Sequence, residues 1–320
     1  MERSPPPPFL LAPPSTRLRN FPDHLRPSMA WRYFTLLFGV FACSVSVILI
    51  KASEAHAMII PPARLLLAVV ALTPLFFLEL RRHRATYTTA HLRRTTIPAL
   101  VLALHFISWT YGARTTYSAQ ATLIVNLVPI AIPFFLHSLV GEKINRTEII
   151  GTAIAIAGLL LLNAHDAFSG SGNLLGNLVC FGSMLLFAWY LALGRANRDF
   201  PSLWLYVIPV YFQAGLFSLL AAIPWLDTFA WSSFREWSLL AGLAVIPTII
   251  GHSLLNHSLR HVRGQVVSLC NSAQFVFAGL MAFFLFHETP TALFLTAAAI
   301  VCIGIAIVIL ATPSIPPRLR

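Results

Sequence analysis

The chain has 320 residues, of which 57% are hydrophobic and 10% are charged, and its formal net charge is +11. Soluble domains have about 45–50% apolar and about 25% charged residues, so this composition excludes an ordinary soluble protein. It also excludes a disordered, collagen-like or disulfide-stapled chain, which leaves a polytopic helical membrane protein. The four cysteines lie in apolar stretches without a CxxC pair and are predicted to be small buried hydrophobic residues.

The first 30 residues are rich in proline and arginine, with no apolar stretch long enough for a signal peptide, so we expect a disordered basic tail. Residues 312–320 form a second tail.

A membrane-spanning helix needs about 20 apolar residues. The apolar stretches between the two tails lack the two-residue alternation of barrel strands, so they are predicted to be helices. Ten spans are predicted, at residues 31–50, 58–80, 96–113, 118–139, 147–163, 174–194, 202–224, 236–259, 264–286 and 292–311.

Lysine and arginine lie in alternate connecting segments, as expected if these residues collect in cytoplasmic loops. With the N-terminus inside, 18 of the 22 basic residues lie before or at the start of span one, after span ten or in every second loop. One missed span would destroy this alternation. The pattern predicts a multi-pass protein of the cytoplasmic (inner) membrane with both termini in the cytoplasm. It also explains the basic charge without a nucleic-acid partner.

An internal repeat is visible at a spacing of 146 residues, which gives two units, residues 31–163 and 174–311, joined by the linker 163–173. Each unit would hold five spans, and this odd number forces the second unit to enter the membrane upside down. Inverted repeats of this kind are typical of secondary transporters. The matching pairs are Arg114 and Arg260, Leu123 and Leu269, Glu142 and Glu288, and Gly158 and Gly304.

Residues 111–162 resemble the end of an EamA domain of the drug/metabolite transporter superfamily. The marks are a fourth helix rich in small residues, Gly141-Glu142 at its end, and a fifth helix that ends in AGLLLL. Residues 266–291 repeat the pattern, with His287-Glu288 where the family commonly has Gly-Glu, and Lys51 and Arg64 also resemble family positions. The resemblance implies ten helices in two inverted repeats, cytoplasmic termini, and outward movement of small polar metabolites, often amino acids or related compounds.

Polar side chains in hydrocarbon are costly and usually face the bundle interior or a water-filled pathway. Thr248, His252 and Asn256 are spaced four residues apart and are expected on one helix face. The alternative role for any of these groups is a hydrogen bond between helices without substrate contact. The candidates for the lining of a substrate cavity are His105, Trp109, Asn126, Trp189, Tyr190, Gln213, Thr248, His252, Asn256, Asn271 and Gln274.

Arg64 lies about six residues into the second predicted span, roughly 9 Å from its outer end. Its side chain either extends outward or pairs with Glu54, or it binds a carboxylate of an amino-acid-like substrate or acts in gating. Glu142 and Glu288, at predicted helix ends, are expected to be solvated hinge or capping groups.

No Asp or Glu falls in the middle of a predicted span, and the chain has no GxxxxGK[ST] phosphate loop. A gradient-driven exchanger or facilitator therefore fits better than a primary pump. We predict no catalytic residue and no cofactor; the expected partners are a small-molecule substrate and membrane lipid, and the oligomeric state is left open.

Two other classes compete with a transporter. An aqueous channel or a membrane scaffold could share the inverted repeats. A membrane metalloenzyme is prompted by His252, His257 and His261, of which the last two share a helix face. His252 points about 140° away from His257 on a regular helix, so no metal site is predicted.

Overall fold

The computed structural model describes residues 29–116, 118–168, 173–231, 233–286 and 291–311, and over these residues it is helical without a β-strand. Residues 1–28 and 312–320 of the predicted tails, and the predicted hinge group Glu288, lie outside the described residues. The fifth predicted span is longer than expected, since its helix continues to Phe168 through the first half of the predicted linker.

The described residues form fourteen α-helices. Eight helical stretches within them are long and apolar enough to cross a membrane. A π-helical segment, Ala244–His252, joins α10 to α11. The helices are α1 (Met29–Ala52), α2 (Ile60–Arg82), α3 (Thr89–Arg94), α4 (Thr96–Thr115), α5 (Ser118–Val125), α6 (Val128–Val140), α7 (Arg146–Phe168), α8 (Leu174–Ala196), α9 (Trp204–Ala222), α10 (Phe234–Leu243), α11 (Ser253–His261), α12 (Gly264–Asn271), α13 (Gln274–Phe286) and α14 (Ala292–Ala311).

Two predicted spans are broken helices, and the breaks follow the 146-residue repeat. The fourth span consists of α5 and α6, and the ninth consists of α12 and α13, with every helix boundary 146 residues after its counterpart. The breaks also touch each other, because Ser272 Oγ donates to the backbone oxygen of Asn126 at 3.0 Å across 146 residues of sequence. Pro129 lies at the start of α6, where its missing N–H costs no helical hydrogen bond.

The packing of the helices shows the same two-fold relation between the repeats. Helix α2 packs against its counterpart α9, and α7 packs against its counterpart α14. Helix α8 of the second repeat packs against α4 of the first. Its counterpart α1 in the first repeat packs in the same way against the π-helical segment, which is the counterpart of α4 in the second repeat. Each half of the chain therefore buries its faces mainly against the other half.

At one end of the bundle, segments that the charge pattern places in the cytoplasm meet; we call it the basic end. Arg94, before α4, pairs with Asp199, after α8, with 2.7 Å between Nη2 and Oδ1. Burial raises the pKa of Asp199, but the hydrogen bonds and charge of Arg94 more than compensate, so this pKa lies below its ordinary value. Arg260 donates to the backbone oxygen of Phe200 at 2.7 Å.

The opposite end of the bundle brings together segments that the charge pattern places outside. The Glu236 carboxylate, in the first turn of α10, accepts hydrogen bonds from Ser53 Oγ at 2.6 Å and from the backbone N–H of Glu54 at 3.1 Å. Arg114, near the end of α4, donates to the backbone oxygen of Ser53 at 2.7 Å. The contacts at both ends agree with the predicted alternation of the loops.

Glycines allow α7 and α14 to approach closely, as small residues do between membrane helices. A Cβ atom added to Gly304 would lie 2.5 Å from the backbone oxygen of Gly151, and one added to Gly158 would lie 2.9 Å from the backbone oxygen of Ala297. Backbone atoms cannot rotate away as a flexible side chain can. This helix pair therefore requires glycine at both positions.

We expect Gly304→Ala to lower the melting temperature of the detergent-purified protein, because overpacking a tight contact costs about 1–3 kcal/mol. The matched control is Gly182→Ala in α8, where an added Cβ meets nothing within 4 Å. That variant should melt at the same or a higher temperature, since alanine is the better helix former. Equal melting temperatures for Gly304→Ala and the wild type would contradict the close contact.

Candidate functional site

A buried polar cluster lies where helices of both repeats meet, and we call it the central cluster. Its members come from α2, α4, α8, α9, the π-helical segment and α11. It contains Arg64 and five of the predicted cavity residues, His105, Tyr190, Thr248, His252 and Asn256, together with residues that the sequence did not single out. The central cluster consists of Arg64, His105, Phe106, Ser183, Phe187, Tyr190, Tyr211, Thr248, His252, Ser253 and Asn256.

Arg64 is the charged member of the cluster and is only 1% exposed. Its Nε donates to Thr248 Oγ1 at 2.9 Å, Nη1 donates to Ser46 Oγ at 3.3 Å, and the guanidinium carbon lies 4.2 Å from the ring centre of Phe106. The third nitrogen, Nη2, is buried without a hydrogen-bond partner. Among the described residues, no carboxylate forms an ion pair with Arg64.

Two of the sequence-based alternatives for Arg64 are wrong. The side chain does not extend outward, because it is almost fully buried. It does not pair with Glu54, whose carboxylate lies instead 3.1 Å from Arg235 Nη1 at the opposite end. The reason is that the long Arg64 side chain reaches across the bundle to Thr248 and does not extend along α2.

Asn256 and His252 provide two buried atoms that can accept hydrogen bonds. Asn256 Nδ2 donates to Tyr190 Oη at 2.7 Å and to the backbone oxygen of His252 at 2.9 Å. Asn256 Oδ1 and His252 Nδ1 are both buried without a partner. The His252 ring lies edge-on to Phe106 and Phe187, with ring centres 5.0 and 5.8 Å apart.

The face that joins these residues differs from the predicted α-helical one. Thr248 and His252 lie in the π-helical segment, where residues four apart no longer stack as they do in an α-helix. Pro247 interrupts the hydrogen bonding there because it has no N–H to donate. π-Helical turns are frequent at functional sites, and this one presents Thr248 to Arg64.

Tyr211 was not singled out from the sequence, although it is fully buried in the cluster. Its hydroxyl lies 3.1 Å from Ser253 Oγ and 3.3 Å from the backbone oxygen of Thr248. A tyrosine in the middle of a predicted span, away from the membrane interface where this residue normally lies, was the signal that could have found it.

His105 lies at the far side of the cluster and is tied to α8. Its Nδ1 is 2.9 Å from Ser183 Oγ, and its ring stacks on Phe187 at 4.7 Å. Phe187 also contacts His252, so one aromatic ring connects the two histidines.

The other predicted cavity residues make contacts elsewhere in the described structure. Their contacts are those of interhelical packing or of the helix breaks. Gln213 Nε2 donates to Thr95 Oγ1 at 2.7 Å, and Trp189 stacks on Phe135 at 6.2 Å. At the helix breaks, Gln274 Nε2 donates to Asn271 Oδ1 at 2.7 Å, and the backbone oxygen of Asn126 accepts from Ser272. Trp109 packs in a separate apolar cluster with Ile59 and Ile60.

The histidines of the competing metal hypothesis do not come together with other ligands. His257 and His261 contact each other with ring centres 4.8 Å apart. Among the described residues, three or more His, Cys, Asp or Glu side chains are nowhere grouped as a metal site would require.

Two ion pairs join the repeats at the basic end. Arg195 Nε donates to Glu142 at 3.0 Å, and Arg263 donates to Glu148, whose side chain is fully buried. Burial lowers the pKa of Arg263, but the hydrogen bond to Glu148 and the negative charge of Glu148 outweigh this effect. The pKa of Arg263 therefore lies above its ordinary value. The expectation that Glu142 is a solvated group is wrong, because its carboxylate also accepts from the backbone N–H of Gly264 at 3.0 Å.

A helical bundle of two repeats that holds a polar cluster between them is the architecture of a multi-pass membrane transporter. The sequence matches the EamA-like transporter family over residues 30–164 and again over residues 174–310. The chain therefore belongs to the EamA-like transporter family.

Two relatives are named as transporters, and a solved structure shares the fold. The chain is 26% identical over 201 residues to an uncharacterized transporter of Archaeoglobus fulgidus, covering 62% of this chain and 70% of that one. It is 23% identical over 220 residues to the pseudopaline exporter CntI of Pseudomonas aeruginosa, covering 67% and 75%. A crystal structure shares the fold with a TM-score of 0.73, at 16% identity, and covers 88% of this chain and 98% of that one.

We expect Arg64→Met to melt at the same temperature as the wild type or higher, because it removes a buried charge that no described carboxylate pairs with. Thr248 would keep its own hydrogen bond to the backbone oxygen of Leu243 at 2.8 Å. The matched variant is Arg263→Met, which removes the ion-pair partner of the fully buried Glu148 carboxylate and should cost about 3–5 kcal/mol. Thermal unfolding in detergent compares the two, and a larger loss in Arg64→Met would show that its charge is structurally paired.

Proposed function

We propose that the protein is a secondary transporter that exports a small polar metabolite bearing a carboxylate across the cytoplasmic membrane by alternating access. The observation that carries this proposal is the buried Arg64 guanidinium, which lies between the two repeats and has one nitrogen without a hydrogen-bond partner among the described residues. A transporter needs its binding site where both halves can reach it, and the central cluster lies there.

A substrate carboxylate would supply what Arg64 lacks. Removing a guanidinium from water costs several kcal/mol unless an anion and hydrogen bonds compensate. Its planar fork binds carboxylates with two parallel hydrogen bonds, which a lysine ammonium cannot do. The unpartnered Nη2 atom is one of the donors such a pair would use.

The acceptor atoms in the cluster support a substrate that also carries a donor. Asn256 Oδ1 and His252 Nδ1 are buried without partners and belong to the same cluster as Arg64. An ammonium or hydroxyl group on the substrate would satisfy them. The combination of a carboxylate and a donor describes an amino acid or a related metabolite.

We infer ten transmembrane helices in two inverted repeats with cytoplasmic termini. Eight stretches satisfy length and composition, and α7 together with the broken pair α12–α13 would provide the other two. The recurrence of helix boundaries at 146 residues and the exchangeable helix pairs support the inverted relation. The charge alternation supports placing the basic end in the cytoplasm.

Charged contacts between the halves at both ends support alternating access. At the basic end, Glu142 and Glu148 of the first repeat hold Arg195 and Arg263 of the second. At the opposite end, Glu236 of the second repeat holds Ser53 of the first. Opening one end while the other stays closed would expose the central cluster to one side of the membrane at a time. Export is the direction named for the Pseudomonas aeruginosa relative.

Counterflow into proteoliposomes tests the proposal, with amino acids and their carboxamides compared as matched solute pairs. The wild type should exchange one or more amino acids saturably and should not exchange the amide, in which the carboxylate is neutral. Arg64→Met should lower the exchange by more than about tenfold, because a hydrogen bond to a charged group contributes about 1.5–3 kcal/mol. The control is Arg84→Gln, an exposed arginine in the loop between α2 and α3.

Three results would contradict the proposal. Equal passage of every small solute without saturation indicates a channel, and no flux above empty liposomes indicates a scaffold. Exchange that does not distinguish an acid from its amide removes the carboxylate from the mechanism. Arg64→Lys separates charge from geometry, since it retains the positive charge but loses the planar fork.

A further inference from the structure

The α1–α2 loop, residues 53–59, lies at the opposite end of the bundle and is held by both repeats. Arg114, near the end of α4 in the same repeat, donates to the backbone oxygen of Ser53 at 2.7 Å. Glu236, in the first turn of α10 in the other repeat, accepts from Ser53 Oγ at 2.6 Å and from the backbone N–H of Glu54 at 3.1 Å. One contact therefore stays within a repeat, and the other crosses between the repeats.

The α8–α9 loop, residues 197–203, lies at the basic end and is held in the same way. Arg260, in the last turn of α11 in the same repeat, donates to the backbone oxygen of Phe200 at 2.7 Å. Arg94, the last residue of α3 in the other repeat, donates to the two carboxylate oxygens of Asp199 at 2.7 and 3.0 Å. Here too, one contact stays within a repeat and the other crosses between the repeats.

The two loops are counterparts in the internal repeat, and so are the arginines that hold each loop within its own repeat. Each loop follows the first long helix of its repeat, α1 or α8. Arg114 and Arg260 are one of the pairs separated by 146 residues of sequence. The same arrangement therefore occurs twice, once at each end of the bundle.

The crossing contacts lie on two helical stretches that also carry the central cluster. The stretch Thr89–Thr115 contains Arg94 and, 11 residues later, His105, whereas Phe234–His261 contains Glu236 and, 12 residues later, Thr248. At 1.5 Å per residue, each crossing contact lies roughly 17 Å along its helix from the cluster. Movement of either stretch at its loop therefore also moves side chains of the cluster.

We propose that the two crossing contacts are latches that determine from which side of the membrane the central cluster can be reached. This inference rests on the proposed transport function. The opposite-end latch consists of Glu236 with Ser53 and Glu54, and the basic-end latch consists of Arg94 with Asp199.

A latch breaks when the bundle opens at its end, because its partners belong to different repeats. The contacts of Arg114 and Arg260 remain, since each of them moves together with the loop of its own repeat. Weakening one latch therefore favours opening at that end alone. The ion pairs of Glu142 and Glu148 also hold the basic end, so this end depends less on its latch than the opposite end does.

Labelling of one introduced cysteine in the full-length protein tests the latches without any substrate. Ser183→Cys places the thiol in the central cluster, in a chain whose four native cysteines are replaced by alanine. A membrane-impermeant thiol reagent is then applied to membrane vesicles of each orientation, and the labelling rate from each side is measured.

Each latch variant should raise labelling from one side only. Glu236→Gln should raise the rate from the side of the opposite end by about tenfold, because it removes the charge from a buried acceptor of hydrogen bonds. Ser53→Ala, a milder variant of the same latch, should act in the same direction. Arg94→Gln should raise the rate from the side of the basic end by about threefold, since its ion pair is half-exposed.

The matched control is Arg114→Gln, which removes a contact of the same loop within one repeat and should leave both labelling rates unchanged. The proposal is overturned if Glu236→Gln or Arg94→Gln raises labelling equally from both sides or not at all. It is also overturned if Arg114→Gln acts as Glu236→Gln does, or if the reporter is labelled from neither side in any variant. Counterflow that does not distinguish an acid from its amide would contradict the proposed substrate and leave the labelling result unaffected.

Discussion

One buried charge organises the polar cluster at which the two halves of the chain meet. Arg64 is placed where burial costs most, in the middle of an apolar bundle, and three neighbours stabilise it only in part: two hydroxyl groups and the face of Phe106. A fold selected for stability alone would place a methionine or leucine there. The central cluster surrounds this guanidinium, and the halves of the chain meet around it. The carboxylate of the proposed substrate would supply the partner that no described residue provides.

The second constraint is the repeat. The two halves of the chain bury their faces against each other, and the glycines of α7 and α14 allow the backbones of these two helices to approach closely. The matching breaks in the fourth and ninth spans touch through Ser272 and Asn126. A break leaves backbone groups without helical partners, and membrane lipid cannot satisfy them, so each break requires the other half of the chain.

Much of this fold follows from the sequence because a membrane limits the possible structures. The apolar stretches, the charged loops and the 146-residue spacing are local patterns, and the helices and their shared boundaries lie where these patterns place them. Thr248, His252 and Asn256 were found because polar side chains are rare in hydrocarbon. The partner of Arg64 was missed because the choice of Thr248 over Glu54 depends on how far a side chain reaches across the bundle. The π-helical segment at Pro247 was missed for a similar reason, since sequence periodicity assumes regular helices.

The two ends of the bundle differ in chemistry, and this difference bears on how binding could drive movement. The basic end is held by the ion pairs of Glu142 and Glu148 with arginines. The opposite end is held by hydrogen bonds from Ser53 and backbone N–H groups to Glu236 and by one exposed ion pair, between Arg235 and Glu54, which contributes little. A ligand shifts such an equilibrium only by its difference in affinity for the two states. A carboxylate that neutralises Arg64 would lower the cost of burying the cluster, and so favour the state in which both halves close around it. In the proposed transport cycle, release would require that the halves separate at one end, and the buried ion pairs of the basic end would make the opposite end the easier one to open.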